Sequence, residues 1–126
     1  SGFRRFMSTG EAPMQSTVVT GSRTAAAGSG VQSITGAGFT PKAAIVLGNA
    51  DGVSLSGSWG FLDDASAERS SVLKTTFTTT TGDLIQIENG ANAMTAVGVL
   101  TSDGLDFTWT KIAAGLTAGF DILFLA

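Results

Sequence analysis

The stretch TGAGFTPKAAIVLGN, Thr35 to Asn49, holds residues whose types suit the binding of an anion. Gly36 and Gly38 would offer backbone N–H groups to a phosphate, and Lys42 would supply a counter-charge. A phosphate loop of the G-x-x-x-x-G-K-[ST] kind needs its glycines after a strand and before a helix. Here the glycines precede an apolar run, Pro41 intervenes and no helical pattern follows. The stretch therefore reads as a turn into a strand. Gly36 and Gly38 permit backbone angles closed to other residues, Phe39 plugs the core and Pro41 stiffens the strand entry.

The second group of interest is acidic: Asp63, Asp64 and Glu68. Closely spaced carboxylates suit calcium, but the D-x-[DN]-x-[DN]-G spacing is absent, and a solvated turn accounts for the cluster. Carboxylate pairs also serve glycoside hydrolysis, yet the 10 acidic residues make chance pairs easy to find. Histidine and cysteine are both absent. That removes the commonest general base, the thiolate nucleophile and the main transition-metal ligands. A serine activated by Lys42, Lys74 or Lys111 is formally open, with no local pattern behind it. The expectation is a non-enzyme with no catalytic residue, no metal site and no cofactor. Trp59 and Trp109 have the shape to stack on sugar rings, but both alternate with other residues in strand-like runs and are expected in the core.

Only 13% of residues are charged and the net charge is −3, so the basic patch of a nucleic-acid partner is missing. No apolar run approaches the roughly 18 residues of a membrane helix, and no membrane partner is expected. The start, SGFRRFMSTGEAPMQS, lacks the apolar stretch of a signal peptide. Removal of an initiator methionine ahead of the small Ser1 would make the chain a complete small gene product. Hydrophobic residues at 43% are too many for a disordered chain, and 126 residues suffice for one cored domain.

The elements that would position these residues are short strands. Residues 1–30 are polar and glycine-bearing, with one strand-like piece, STVVT at Ser16 to Thr20, and read as an extended N-terminal arm. From Val31 the strands come quickly: VQSIT, then AAIVLG, expected to be buried on both faces, then SGSWGFL with Trp59 and Phe61 on one face. The segment from Asp63 to Ser70 is a polar loop or helical turn, and SVLKTTFTTTT is one β-branched strand. Ile85 and Ile87 alternate against Gln86 and Glu88, and Asn89-Gly90 supplies a turn. In the clearest hairpin Asp103-Gly104 turns the chain, and Leu105, Phe107 and Trp109 alternate with polar residues. About eight strands with turn signals between them predict an all-β fold, a jelly-roll-like β-sandwich over residues 31–126. A closed barrel is the runner-up.

Three elements resemble a group of small bacteriophage structural proteins. Gly36, Gly38, Phe39, Pro41, Lys42, Ala43, Ile45 and Gly48 match a V-T-G-x-G-F-x-P-K-A-x-I-x-L-G element. Gly60, Phe61 and Asp63 match a G-F-x-D element. Asp103, Gly104, Phe107, Trp109 and Thr110 approximate D-G-F-T-x-x-W-T, departing at Leu105-Asp106, where members more often carry Phe-Thr. The resemblance covers residues 31–126 and leaves the arm uncovered. It implies a virion component, with head decoration as the leading role. Phe3, Arg4, Arg5 and Phe6 of the arm would then contact the major capsid protein, other virion proteins or neighbouring copies in a homo-oligomer, with a trimer as the analogy. The alternative it implies is a tail-fibre, head-fibre or baseplate module whose loops NADGVSLSG and DDASAERSS bind a host glycan.

Overall fold

A computed structural model of the chain describes residues 14–51, 56–65, 69–73 and 77–126. The chain is a β-sandwich, as the strand and turn pattern predicts. Among the described residues ten strands follow one another: β1 (Ser16–Arg23), β2 (Gly30–Thr35), β3 (Ala43–Ala50), β4 (Gly57–Asp63), β5 (Arg69–Leu73), β6 (Phe77–Thr81), β7 (Ile85–Asn89), β8 (Asn92–Thr101), β9 (Gly104–Ile112) and β10 (Ala118–Leu125). A 3-10 turn, Ala25–Ala27, lies between β1 and β2. Thr24 caps it by accepting the Ala27 N–H at 3.1 Å, and the Arg23 guanidinium donates to the Gly28 carbonyl at 2.9 Å.

Sheet A has the order β1-β10-β3-β4-β5-β6 and sheet B the order β2-β9-β8-β7. Every pairing is antiparallel. The first strand pairs with the last in one sheet, and the second with the penultimate in the other. That nesting is the jelly-roll part of the design. The rest is plainer, a meander β3 to β6 in sheet A and a meander β7 to β9 in sheet B.

β1 extends the sandwich into the region expected as an arm. Its eight residues pair with β10 from Ser16↔Leu125 to Arg23↔Ala118. The run SVLKTTFTTTT, expected as one strand, contributes to two, β5 and β6, and β5 begins at Arg69 inside the expected polar loop. Both hairpin turns sit one residue away from where the glycines suggest. Thr101 pairs with Gly104, so Ser102-Asp103 makes the turn, and Asn89 pairs with Asn92, so Gly90-Ala91 makes the other. Gly104 is needed in the strand instead: a Cβ there would collide with the Ile34 carbonyl oxygen on β2.

The core lies between the sheets. Period-two alternation sends Phe120, Ile122 and Phe124 of β10, Ala44 and Val46 of β3 and Leu62 of β4 inward from sheet A. Sheet B answers with Ile34, Ile85, Ile87, Leu105, Phe107 and Trp109. Trp109 is in the core, as its alternation predicts. It forms an aromatic trio with Phe107 at 5.2 Å and Phe120 at 6.1 Å, and its indole N–H donates to Gln32 Oε1 at 2.9 Å. Phe39 packs against this core from its edge and Pro41 is buried.

Candidate docking surface

The opening glycine stretch has found an anion, and it belongs to the chain itself. Asp103, at the β8–β9 turn, lies against the loop between β2 and β3. The Gly36 N–H donates to one Asp103 carboxylate oxygen at 3.1 Å and the Gly38 N–H to the other at 2.8 Å. The Ala37 N–H between them donates to the Asp103 backbone carbonyl at 3.0 Å. Gly36 at φ 102° and Gly38 at φ 81° hold the left-handed angles that turn these N–H groups to one side. Thr40 Oγ1 adds a bond to the Ser102 carbonyl at 3.1 Å. Two motifs 65 residues apart thus form one structural clamp, which gives the turn role expected for Gly36, Gly38 and Asp103 a geometry, while Gly104 lies in β9.

The acidic cluster is divided. Asp63 accepts the Ala65 N–H at 3.0 Å, the local bond of a turn, Asp64 is exposed, and Glu68 lies outside the described residues. Among the described residues no group of three His, Cys, Asp or Glu could hold a metal ion. Ser29 meets Lys111 through the backbone, accepting its N–H at 2.9 Å.

The unexpected feature is on β4. Its sequence, GSWGFLD, would normally point Trp59 and Phe61 inward. Instead Ser58, Gly60 and Leu62 face the core, while Trp59 is 41% and Phe61 52% exposed. This overturns the core placement expected for Trp59. The reason is the close approach of β7 across the sandwich. The Ser58 hydroxyl accepts the Gln86 N–H at 3.1 Å, Ser56 accepts the Glu88 N–H at 3.0 Å, and the Gln86 side-chain amide donates to Ser70 Oγ at 3.2 Å. Small hydroxyl residues let the β7 backbone come that near, and large rings in their place would force it away. Gln86, expected on the solvent side, is buried in this polar seam.

With β4 turned this way, its aromatics join the outer sides of β3, β10 and β1. Register sets Val18, Leu123, Ile45 and Phe61 in one row across four strands. Leu47 and Trp59 stand opposite each other in the next row, with Asp121 beyond Leu47. Ile45 and Leu47 are exposed, contrary to the expectation that β3 is buried on both faces. An open groove of about 410 Å³ runs along β3 and β4, lined by Ala43, Ile45, Trp59, Phe61, Asp63 and Leu125. A smaller depression of about 180 Å³ adjoins it between Val18 and Leu47. The arrangement suits contact with another apolar surface, since large side chains adjoin one another across four strands and are not scattered singly.

Sequence reasoning missed this face because period two says which residues share a side of a strand but not which side is inner. The usable signal was the small-large alternation Ser58, Trp59, Gly60, Phe61. Phe3, Arg4, Arg5 and Phe6 lie outside the described residues, as do residues 52–55 and 66–68 of the loops expected to meet a glycan. The chain matches no family model, no curated protein and no solved structure.

Proposed function

We propose that the chain is a structural component of a bacteriophage virion, a capsid decoration protein that docks on the shell through its N-terminal segment. The observation that supports an assembly role is the outward aromatic pair of β4, continued by Ile45, Leu47, Leu123 and Val18 into one apolar face. A domain that keeps Trp and Phe at its surface and serine against its core has a use for that surface. The motif resemblance, whose residues converge on the Asp103 clamp and the strands beside it, supplies the virion context. In this reading Phe3 and Phe6 are apolar anchors, Arg4 and Arg5 make polar contacts with the major capsid protein or a neighbouring copy, and the protein carries out no catalysis.

The test is co-sedimentation of the purified protein with capsids that lack it. The parent chain should bind, and Phe3→Ser/Phe6→Ser should lose most of the binding while keeping the parent's unfolding midpoint. No binding by the parent would overturn the decoration role. A second reading has one observation in its favour: Trp59 is exposed beside Phe61, as a sugar-stacking residue of a fibre module would be. Quenching or shift of tryptophan emission on titration with host-surface saccharides would mark that reading.

A further inference from the structure

We propose that two copies of the chain pair edge to edge through β1, antiparallel about a two-fold axis at Val18, so that their two sheets A run on as one. This concerns the free protein and does not rest on the capsid reading.

Three observations lead there. The first is which main-chain groups β1 leaves open. Gln15 and Ala126 exchange both backbone bonds, at 3.1 and 3.0 Å. In an antiparallel ladder such pairs alternate with pairs that share no bond. Counting along the register, Thr17, Val19 and Gly21 turn their N–H and C=O groups to β10, while Ser16, Val18, Thr20 and Ser22 turn theirs the other way. The Ser22 carbonyl, which accepts the Gln32 side-chain amide at 2.9 Å, follows the same parity. β1 ends the strand order of sheet A, so among the described residues no strand pairs with Ser16, Val18 and Thr20 on that side.

The second is the lack of edge protection. On β7, at an edge of sheet B, the Gln86 and Glu88 N–H groups are taken by the Ser58 and Ser56 hydroxyls. β1 has no such cover from Ser16 to Thr20. The sequence STVVT holds neither proline nor charge, the usual devices that keep an edge from pairing. The nearest described charge on the strand, Arg23, is tied back to the Gly28 carbonyl.

The third is self-complementarity. An axis through Val18, perpendicular to the sheet, sets Val18 opposite its own copy and Ser16 opposite the second copy's Thr20. Each of these pairs would exchange both bonds, because all three residues present their groups to the edge. The same axis keeps the outer faces on one side. The rows Val18, Leu123, Ile45 and Phe61 of the two copies then meet end to end through their valines. The two Asp121 carboxylates, each beside a Thr20, fall at opposite ends of the contact. The symmetry closes at two copies, not at the three of the analogy.

Sedimentation velocity of the full chain over about 10–500 μM tests this, since a contact as short as Ser16–Thr20 is smaller than a permanent interface. The parent should move from the 12.7 kDa of one chain towards twice that mass. Val18→Pro deletes the N–H at the axis. That N–H faces away from β10, so the unfolding midpoint of the single chain should hold. Association should fall at least about ten-fold, because each copy loses a bond. Val18→Lys keeps every main-chain group and sets two ammonium groups against each other, so it also gives single chains and decides the matter if the proline variant is unfolded. The absence of cysteine permits a check of the register. Cα atoms paired at the axis lie about 5.5 Å apart, within disulfide range. Under mild oxidation Val18→Cys should give covalent dimers at least about ten-fold faster than Val99→Cys, on the exposed side of sheet B. A parent that stays at the mass of one chain throughout, or grows past two, overturns the proposal. So do Val18→Lys chains that associate like the parent, and equal cross-linking at the two positions.

Discussion

Replacing Asp103 with alanine strands two N–H groups. In the parent, the Gly36 and Gly38 N–H groups donate to the two carboxylate oxygens at 3.1 and 2.8 Å. Both bonds are at the surface, so water takes over part of what is lost. Each is therefore given the ordinary net worth of about 0.5–1.5 kcal/mol and not the larger value of a sheltered charged bond. The Ala37 bond goes to the Asp103 backbone carbonyl and survives the change. Asp103→Ala should cost about 1–3 kcal/mol in total. Asp103→Asn keeps one acceptor oxygen and turns an NH2 towards the other N–H, so it should lose about half as much. Urea unfolding followed by Trp109 emission measures both, with the slope unchanged and only the midpoint moving. In a thermal scan each kcal/mol corresponds to about 3–5 °C for a domain of this length. If Asp103→Ala unfolds within about 0.3 kcal/mol of the parent, or is more stable than Asp103→Asn, the clamp does not hold the loop and the reasoning is wrong.

Further outcomes follow from the same structure. Phe107→Ala empties the centre of the aromatic trio and should cost about 3–5 kcal/mol by urea unfolding, since the sheets cannot close over a ring-sized hole. Trp59→Ser, on the exposed face, should move the unfolding midpoint by less than about 0.5 kcal/mol while raising the solubility limit, which separates a surface role from a core role. Burial lifts the Asp83 carboxyl above its ordinary range. The folded state then holds that proton more tightly than the unfolded chain, so the group favours folding below its ordinary pKa, and the advantage is lost as pH rises through the raised value. Asp83→Asn should therefore raise the midpoint at pH 7 and have little effect at pH 3, a difference read from paired urea curves.

The hairpin of β8 and β9 and the inward alternation of Leu105, Phe107 and Trp109 are legible in the sequence because β9 follows period two with one side plainly polar. The glycine loop is legible as a turn for the same reason: its glycines precede a strand. What is not legible depends on contacts between distant segments. Nothing near Gly36 in sequence announces Asp103 as its acceptor. Gly104 looks like a turn residue until Ile34 is placed beside it. Ser58 and Gly60 look like the solvent side of β4 until β7 is laid against them. β1 looks like part of an arm because its pairing partner, β10, lies at the other end of the chain. The exposed apolar face was hidden by the general rule that the larger residues of a strand go inward, which holds unless a neighbouring backbone needs the space.

The pairing of β1 with β10 also sets how the domain bears a load. Ser16 lies opposite Leu125, and Gln15 is bonded to Ala126. Tension between these two ends acts across the ladder, at right angles to the strands, and loads one pair of hydrogen bonds at a time. The ladder would open like a zipper from Gln15 towards Arg23, at low force, and the inner strands would follow only after β1 had left. Tension applied between Gln15 and the far end of β4 would instead pull along the strands and load many bonds together. Anchored at its N-terminal side and pulled at its C-terminal side, this sandwich is mechanically soft in a direction where its burial alone would suggest strength.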